Sequence, residues 1–205
     1  YGQAISKFGK KEVKIENWVD ANFRKGKQPP FSFVYNSEYS GNFIRQWKFS
    51  SQKLGEIEKG VFNNIYRWQD EKTKMTVDCN VKYYPEYKAV EWVLGFTNGS
   101  TGNSPTIEQV KVIDIDFQYA SDSEIIVHYA DGSTPSRADF HPRRKILAGE
   151  ESFEIYPRDG RSSDHAFPFF NIESTSGQGA MFAIGWSGTW YSHFEKKSEN
   201  AISFN

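Results

Sequence analysis

Residues 61–81 read VFNNIYRWQDEKTKMTVDCNV, and this stretch decides the fold class. Residues 61–68 are rich in aromatic and β-branched side chains, and residues 75–81 alternate apolar with polar side chains. An apolar residue at every second position is typical of a strand with one buried face. The charged residues 70–72 between the two halves indicate a turn. The stretch therefore predicts an antiparallel β-hairpin.

Similar patterns recur along the chain. Further strands are predicted at 31–35, 43–49, 89–96, 113–117, 123–129, 153–156, 166–173, 179–185 and 190–194. The nearly continuous apolar run 89–96 predicts a strand buried on both faces, whereas residues 133–144 predict a long loop. Only residues 12–22 have any helical character. About ten to twelve strands separated by turn signals predict an all-β fold, a large antiparallel two-sheet sandwich with little or no helix.

The composition indicates how such a sandwich is packed. The chain has 205 residues and no internal linker or repeat, which predicts a single β-sandwich domain over residues 1–205. Only 38% of the residues are hydrophobic, but 6 Trp, 11 Tyr and 17 Phe supply large apolar surfaces for a core. The flat faces of such rings also stack on sugars, which makes carbohydrate a candidate partner.

Charge, hydropathy and cysteine content argue against several kinds of partner and site. The net charge is -1 and basic residues do not cluster, which argues against nucleic acid. No apolar run approaches the roughly 18 residues of a membrane span. The single Cys79 excludes an internal disulfide framework and a multi-cysteine zinc site. With Tyr1 rather than Met in first place, these features predict a processed or trimmed soluble protein.

Asp114 and Asp116 are the first carboxylates to consider for catalysis. On one face of a strand they would lie about 7 Å apart, within the range of about 5 to 10 Å that glycoside hydrolysis requires. Alternating Asp residues are also the ordinary pattern of a strand with one wet face, and this explanation is preferred. None of the four histidines has the spacing of a metal site, and the chain contains no nucleophile elbow or phosphate loop. The sequence therefore predicts no catalytic residue, no metal and no cofactor in this chain.

Two late stretches are more specific. Residues 160–165 read GRSSDH and form a dense polar loop, and residues 183–190 read AIGWSGTW, with two indoles four positions apart. Three blocks resemble the N-terminal β-supersandwich domain of α-galactosidase-like enzymes of glycoside hydrolase family 36 and its relatives: residues 160–163, GRSS, residues 168–171, PFFN, and residues 183–190. Earlier pieces are similar to the same domain. They are residues 31–35, 89–94, 96–98, 113–114, 129–133 and 139–140.

The resemblance extends over most of the chain from about residue 31 onward. It implies a non-catalytic sandwich that packs ahead of a (β/α)₈ barrel in a retaining α-glycosidase, with the catalytic carboxylates in the barrel. No Lys-Trp-Asp nucleophile signature occurs here, so no catalytic residue carries over and the domain is expected to be C-terminally incomplete relative to a longer enzyme. The family also implies a secreted or periplasmic glycosidase of carbohydrate metabolism.

In such enzymes the supersandwich frames the mouth of the active site or contacts a neighbouring subunit. The resemblance therefore leaves assembly into a homo-oligomer as an open alternative. By this resemblance the substrate-contact or interface candidates lie in the two late stretches. They are Arg161, Ser162, Asp164, His165, Trp186 and Trp190. The alternative for these residues is a buried strand-and-turn core in which Arg161 holds a loop.

Two other functions stay open. A free-standing carbohydrate-binding module would show an exposed, coplanar pair or triplet of indoles. The candidates are Trp47, Trp68, Trp92, Trp186 and Trp190, of which Trp92 is expected in the core. A pure interaction scaffold would instead show a contiguous apolar patch larger than a few hundred Å².

Overall fold

The structure, a computed structural model, describes residues 2–7, 14–119, 124–149, 151–198 and 201–205. Among these residues the secondary structure is almost entirely antiparallel β-sheet, with one α-helix, so the predicted all-β sandwich is confirmed. The chain divides into two compact units. The first unit is Val13–Asp114, and the second unit joins Tyr1–Glu12 to Ile115–Asn205. The assignment of residues 1–205 to a single domain stays a prediction.

The elements are numbered in chain order. The helix α1 is Ile15–Asn22, and two 3₁₀ turns are Ser40–Asn42 and Ile44–Gln46. The strands are β1 Gly2–Lys7, β2 Ser32–Tyr35, β3 Glu38–Tyr39, β4 Lys48–Glu58, β5 Val61–Gln69, β6 Met75–Tyr84, β7 Ala89–Asn98, β8 Ile107–Lys111, β9 Ile115–Gln118, β10 Ile125–Ala130, β11 Pro142–Leu147, β12 Ser152–Ile155, β13 Phe169–Ser174, β14 Gly179–Ile184, β15 Ser192–Ser198 and β16 Ala201–Phe204.

The first unit is built on the predicted hairpin. Strands β5 and β6 pair antiparallel in the register Trp68↔Val77, and hydrogen bonding continues in the order β7-β6-β5-β4. A smaller sheet in the order β3-β2-β8 supplies the facing aromatic side chains, with Phe31 just before β2 meeting Trp68 at 5.4 Å between ring centroids. Phe33 of β2 likewise meets Phe96 of β7 at 5.2 Å. The core of this unit is therefore largely aromatic, as the composition indicated.

The helix α1 completes that core. Ile15 and Val19, four residues apart, are buried on one face of the helix, and Phe23 follows at its end and stacks on Tyr66 at 5.1 Å. The helix occupies the later part of the predicted range 12–22, and residues 12 and 13 lie outside the described residues. Cys79 of β6 is fully buried, and burial raises the pKa of its thiol.

The second unit is also a two-sheet sandwich. One sheet runs in the order β11-β10-β13-β14-β1 and the other in the order β12-β15-β16-β9. Phe204 of β16 lies between them, 4.4 Å from Phe182 of β14 and 4.9 Å from Phe194 of β15, measured between ring centroids. At one end of the sandwich Tyr129 of β10 meets Phe153 of β12 at 5.1 Å. The facing rings again form the core.

Some predicted elements are wrong. The predicted strand 43–49 is wrong up to Trp47, because Ile44–Gln46 form a 3₁₀ turn across which Phe43 stacks on Trp47 at 5.1 Å, and only Lys48 and Phe49 belong to a strand. An aromatic pair four residues apart fits a helical turn as well as a strand. The strand β4 follows, and its almost continuous exposure explains why it shows no apolar period.

Strand boundaries and buried faces differ from the prediction at three further places. The strand β7 has one exposed face, with Val93 37% exposed, so it is not buried on both faces. The predicted loop 133–144 ends in β11, which begins at Pro142. The strand β9 begins at Ile115, so Asp114 precedes it and does not share a strand face with Asp116.

Candidate functional site

The two late sequence motifs meet in the second unit, where the loop after β12 contacts the loop between β14 and β15. The indole Nε1 of Trp190 donates a hydrogen bond to the carbonyl oxygen of Ser162 at 2.7 Å. The backbone N–H of Ser162 in turn donates to the carbonyl oxygen of Ser187 at 3.1 Å. Hydrogen bonds to backbone carbonyl oxygens thus hold together residues that are far apart in sequence. The two motifs are parts of one hydrogen-bonded cluster.

Asp164 organises the first of these loops. Its side chain is buried, and its carboxylate accepts hydrogen bonds from Nη2 of Arg161 at 3.1 Å and from the backbone N–H of Asp159 at 3.1 Å. The ring atom Nδ1 of His165 lies 2.9 Å from the same carboxylate. The contact with His165 holds the pKa of Asp164 below its ordinary value, against the opposing effect of burial, and the bonds from Arg161 and Asp159 act in the same direction as His165.

A glycine allows the loop to pack this closely. A Cβ on Gly132 would lie 2.0 Å from the carbonyl oxygen of Ser163 and 2.5 Å from the backbone nitrogen of Ala166. Ser133 N–H donates to that same Ser163 oxygen at 2.7 Å. His165 has a positive φ of 61°, a conformation that costs energy for a residue with a side chain. The backbone contacts around Gly132 hold it there.

Trp190 and Trp186 have different environments. Trp190 is 7% exposed and its ring lies 5.5 Å from that of Phe170, so it belongs to the core. Trp186 is 62% exposed, and its Nε1 lies 2.9 Å from where a Cβ on Gly188 would be. The structure therefore brings Arg161, Ser162, Asp164, His165 and Trp190 into one hydrogen-bonded cluster and leaves the Trp186 side chain facing solvent. Whether any of them contacts a substrate or another domain stays a prediction.

A cavity of about 410 Å³ adjoins this cluster. It is lined by Tyr129 at the end of β10, by residues 153–156 in and after β12, and by Arg158 and His165 of the loop. The aromatic and charged lining on β12 was not predicted, although residues 153–156 alternate apolar and polar side chains in the sequence. A cavity wall at this place could not be predicted from the sequence, because it depends on where β10 and β12 end relative to each other in the fold.

The cluster also contains a group of metal-type ligands. Ligand atoms of Asp159, Asp164 and His165 lie within 4.8 Å of one another, the one such group among the described parts of the chain. Both oxygens of Asp164 already accept the bonds described above, and Nδ1 of His165 is used in one of them. These bonds account for the arrangement as a loop-stabilising network, and the donor set does not favour a cation.

Asp114, considered above for catalysis, has a structural role in the first unit. Its carboxylate accepts hydrogen bonds from the hydroxyl groups of Ser32 and Tyr39. Its backbone N–H donates to the carbonyl oxygen of Pro30 at 2.9 Å. These bonds fix the segment that follows β8 against the beginning of β2.

The fold resembles part of a known enzyme. Comparison with solved structures finds an α-galactosidase of glycoside hydrolase family 36 from Geobacillus stearothermophilus, a double variant in complex with raffinose. The match has a TM-score of 0.61 at 14% sequence identity, and covers 87% of this chain and 26% of that one. It supports a structural relation to this kind of enzyme at the level of the fold, and this chain spans about a quarter of its length.

Other comparisons add nothing to the fold likeness. No protein-family model matches the sequence, and no curated protein matches it. Among the described residues, no helix has the length and hydrophobicity needed to cross a lipid bilayer.

The lowered pKa of Asp164 predicts acid sensitivity of this loop. The native carboxylate needs a lower pH to take up a proton than the same group in the unfolded chain, whose pKa is about 3.9. Its stabilising contribution is therefore present above about pH 4 and lost as the pH falls through the lowered native value. The variant Asp164→Asn should be less stable than wild type at neutral pH and lose less stability between about pH 5 and about pH 2.

Urea unfolding followed by tryptophan fluorescence at several pH values measures this difference. Asp116→Asn, which makes the same change at an exposed Asp of the same unit, is the control variant. Equal slopes for Asp164→Asn and wild type would show that the network does not depend on the charge of Asp164.

Proposed function

We propose that this chain is a non-catalytic β-sandwich domain of a glycoside hydrolase of the α-galactosidase type, standing ahead of a (β/α)₈ catalytic barrel. The observation that carries the proposal is the fold likeness to a family 36 α-galactosidase, which covers 87% of this chain but only 26% of the enzyme. A domain of this kind supports or frames an active site that is formed elsewhere in the protein.

The contacts between the two late motifs support the proposal. The blocks 160–163 and 183–190 carry the resemblance in sequence, and the hydrogen bond from Trp190 to Ser162 joins them. Two motifs that depend on each other in the fold are expected to occur together, as they do in this chain. Their role in the proposal is to shape one end of the second unit.

A cluster of exposed rings on the second unit is suited to contact with another domain. Phe140 is 51% exposed and packs edge-on to Phe167 at 5.4 Å, and Phe169, 40% exposed, stacks on Phe167 at 5.0 Å. Large contiguous apolar patches on soluble proteins mark interaction surfaces. The proposal assigns this cluster to the side that meets the remainder of the enzyme.

The indoles do not favour a carbohydrate-binding module that relies on tryptophan. Trp68, Trp92 and Trp190 are buried, and Trp47 is half-buried against Phe43. Trp186 alone of the five candidates is largely exposed, so none of them forms an exposed coplanar pair. The enzyme-domain proposal is preferred for that reason. A secreted or periplasmic location is part of it, which cell fractionation tests.

The proposal predicts how activity divides between this domain and the longer protein. The chain of 205 residues should not hydrolyse 4-nitrophenyl α-galactoside, whereas the protein encoded by the complete reading frame should hydrolyse it. A mock purification from the same host controls for contaminating glycosidases. Sustained turnover by the short chain above the mock level would overturn the non-catalytic role. A complete reading frame that encodes no barrel would overturn the enzyme assignment.

A further inference from the structure

The cavity at the end of the second unit has the dimensions of a small-molecule site. Its volume of about 410 Å³ lies within the usual range of about 300 to 1,000 Å³ for such sites. It opens where β10 and β12 end, next to the loop fixed by Asp164. The hydrogen bonds of Asp164 and the close packing at Gly132 hold this wall of the cavity in place. A preformed wall reduces the entropic cost of binding a ligand.

One part of the lining is aromatic. Tyr129 and Phe153 both line the cavity, and their rings meet at 5.1 Å with an interplanar angle of 55°. Tyr156 also lines the cavity, is 52% exposed, and stacks on Tyr191 with ring centroids 6.1 Å apart and an interplanar angle of 25°. The stacked neighbour fixes the orientation of the Tyr156 ring. The cavity therefore offers an oriented aromatic side chain to a ligand with a flat apolar face.

The other part of the lining is polar and carries both signs of charge. Arg158 forms no salt bridge with any described residue, and its guanidinium supplies hydrogen-bond donors. Glu154 supplies acceptors and lies beside the hydroxyl of Tyr191, whose pKa is raised to about 12 by burial and by this carboxylate. His165 uses Nδ1 toward Asp164, which leaves Nε2 for a ligand. Asp131 is already paired with Arg143 at 2.8 Å.

This combination selects one chemical class. An apolar ligand would desolvate the guanidinium of Arg158 without giving it a hydrogen-bond partner, which is costly. The carboxylate of Glu154 would repel an anionic ligand, and the guanidinium of Arg158 would repel a cationic ligand. A neutral pyranose has hydroxyl groups that both donate and accept, and a face of C–H bonds that packs on an aromatic ring. We propose that this cavity binds the pyranose ring of a neutral saccharide, with Tyr156 as the stacking residue and Arg158, Glu154 and His165 as hydrogen-bond partners.

The proposal goes beyond the assignment as an enzyme domain, because it requires only this chain. His165 contacts the ligand, and Asp164 is a positioning residue that orients the His165 ring. The site is distinct from the indoles considered in the sequence analysis, since none of them lines the cavity.

The test is a titration of the ¹⁵N-labelled 205-residue chain with glucose, galactose, mannose and their disaccharides, followed by NMR chemical shifts. At least one neutral sugar should shift the signals of residues around the cavity, with a Kd of about 1 mM. Glycerol, which has hydroxyls but no ring face, and glucuronate, which adds a carboxylate, are the comparison ligands. Both should bind more weakly than the neutral sugar.

Matched variants locate the site. Tyr156→Ala and Arg158→Met should each raise the Kd about tenfold or more, a change of about 1.4 kcal/mol or more. Tyr87→Ala removes a tyrosine of the first unit that is 68% exposed and should bind like wild type. Thermal unfolding of each variant checks that the fold is kept, which the exposure of both Tyr156 and Arg158 predicts.

Three results would overturn the proposal. The first is the absence of shifts with every neutral sugar up to about 50 mM, well above the expected Kd. The second is wild-type affinity in both Tyr156→Ala and Arg158→Met. The third is tighter binding of glucuronate than of any neutral sugar, which would identify an anion site. None of these results bears on whether the longer protein is a glycosidase, so the two proposals fail separately.

Discussion

Replacing Trp92 by alanine is expected to lower the free energy of unfolding by about 3 to 5 kcal/mol. The Trp92 side chain is completely buried in the first unit, 5.8 Å from Phe23 and 6.2 Å from Trp18 between ring centroids. Its Nε1 also donates to the carbonyl oxygen of Val112 at 2.7 Å. The variant would leave a cavity between α1 and β7 and would remove this hydrogen bond.

Denaturant unfolding of wild type, Trp92→Ala and Trp186→Ala measures the effect. Trp186 is the same residue type but 62% exposed, so its removal should change the free energy of unfolding by no more than about 0.5 kcal/mol. Similar losses in the two variants would mean that Trp92 is not the centre of the packing. If Trp92→Ala does not fold, Trp92→Phe keeps a ring in the site and should show a smaller loss.

Gly132→Ala is expected to destabilise the second unit by about 3 kcal/mol, at the upper end of the usual range for overpacking. The added methyl would lie 2.0 Å from the carbonyl oxygen of Ser163 and 2.8 Å from the backbone nitrogen of His165. Neither atom belongs to a flexible side chain, so the loop backbone itself must move. That movement should also disturb the contact between Asp164 and His165 and alter the cavity beside them.

Gly160→Ala is the matched control, because Gly160 lies between β12 and β13, in the loop that Gly132 contacts, and a Cβ there meets nothing within 4 Å. Thermal unfolding should show a large decrease in Tm for Gly132→Ala and almost none for Gly160→Ala. Amide signals of residues 163–166 should shift in the first variant alone. A wild-type Tm for Gly132→Ala would show that the loop adjusts without cost.

The alternation of apolar residues predicted most of the sheet structure. It located β5 and β6 and their hairpin, because one face of this pair is buried and the other is not. It did not predict β4, an edge strand with little buried surface. An alternating pattern of apolar residues arises where one face of a strand is buried, and β4 forms its hydrogen bonds without burying a face. It also failed at Phe43 and Trp47, whose stacking across a 3₁₀ turn has the same spacing as alternate positions in a strand.

The candidate site was only partly visible in the sequence. The polar loop around Asp164 and the two indoles stood out by composition, and the bond from Trp190 to Ser162 shows that they belong together. The separation of Trp186 from Trp190 by exposure was not predictable, because it depends on which side of a short loop faces the core. The lining formed by Tyr156 and Arg158 was missed for a similar reason, since the cavity exists only where strands from both sheets end together.

The burial of Cys79 makes this protein convenient for site-specific labelling. The thiol is fully enclosed in β6 and its pKa is raised, so maleimides and other thiol reagents should not react with the folded chain. A cysteine introduced at an exposed position such as Trp186 would then be the one reactive thiol. Fluorescent or spin labels can be attached beside the late motifs without first removing the native cysteine.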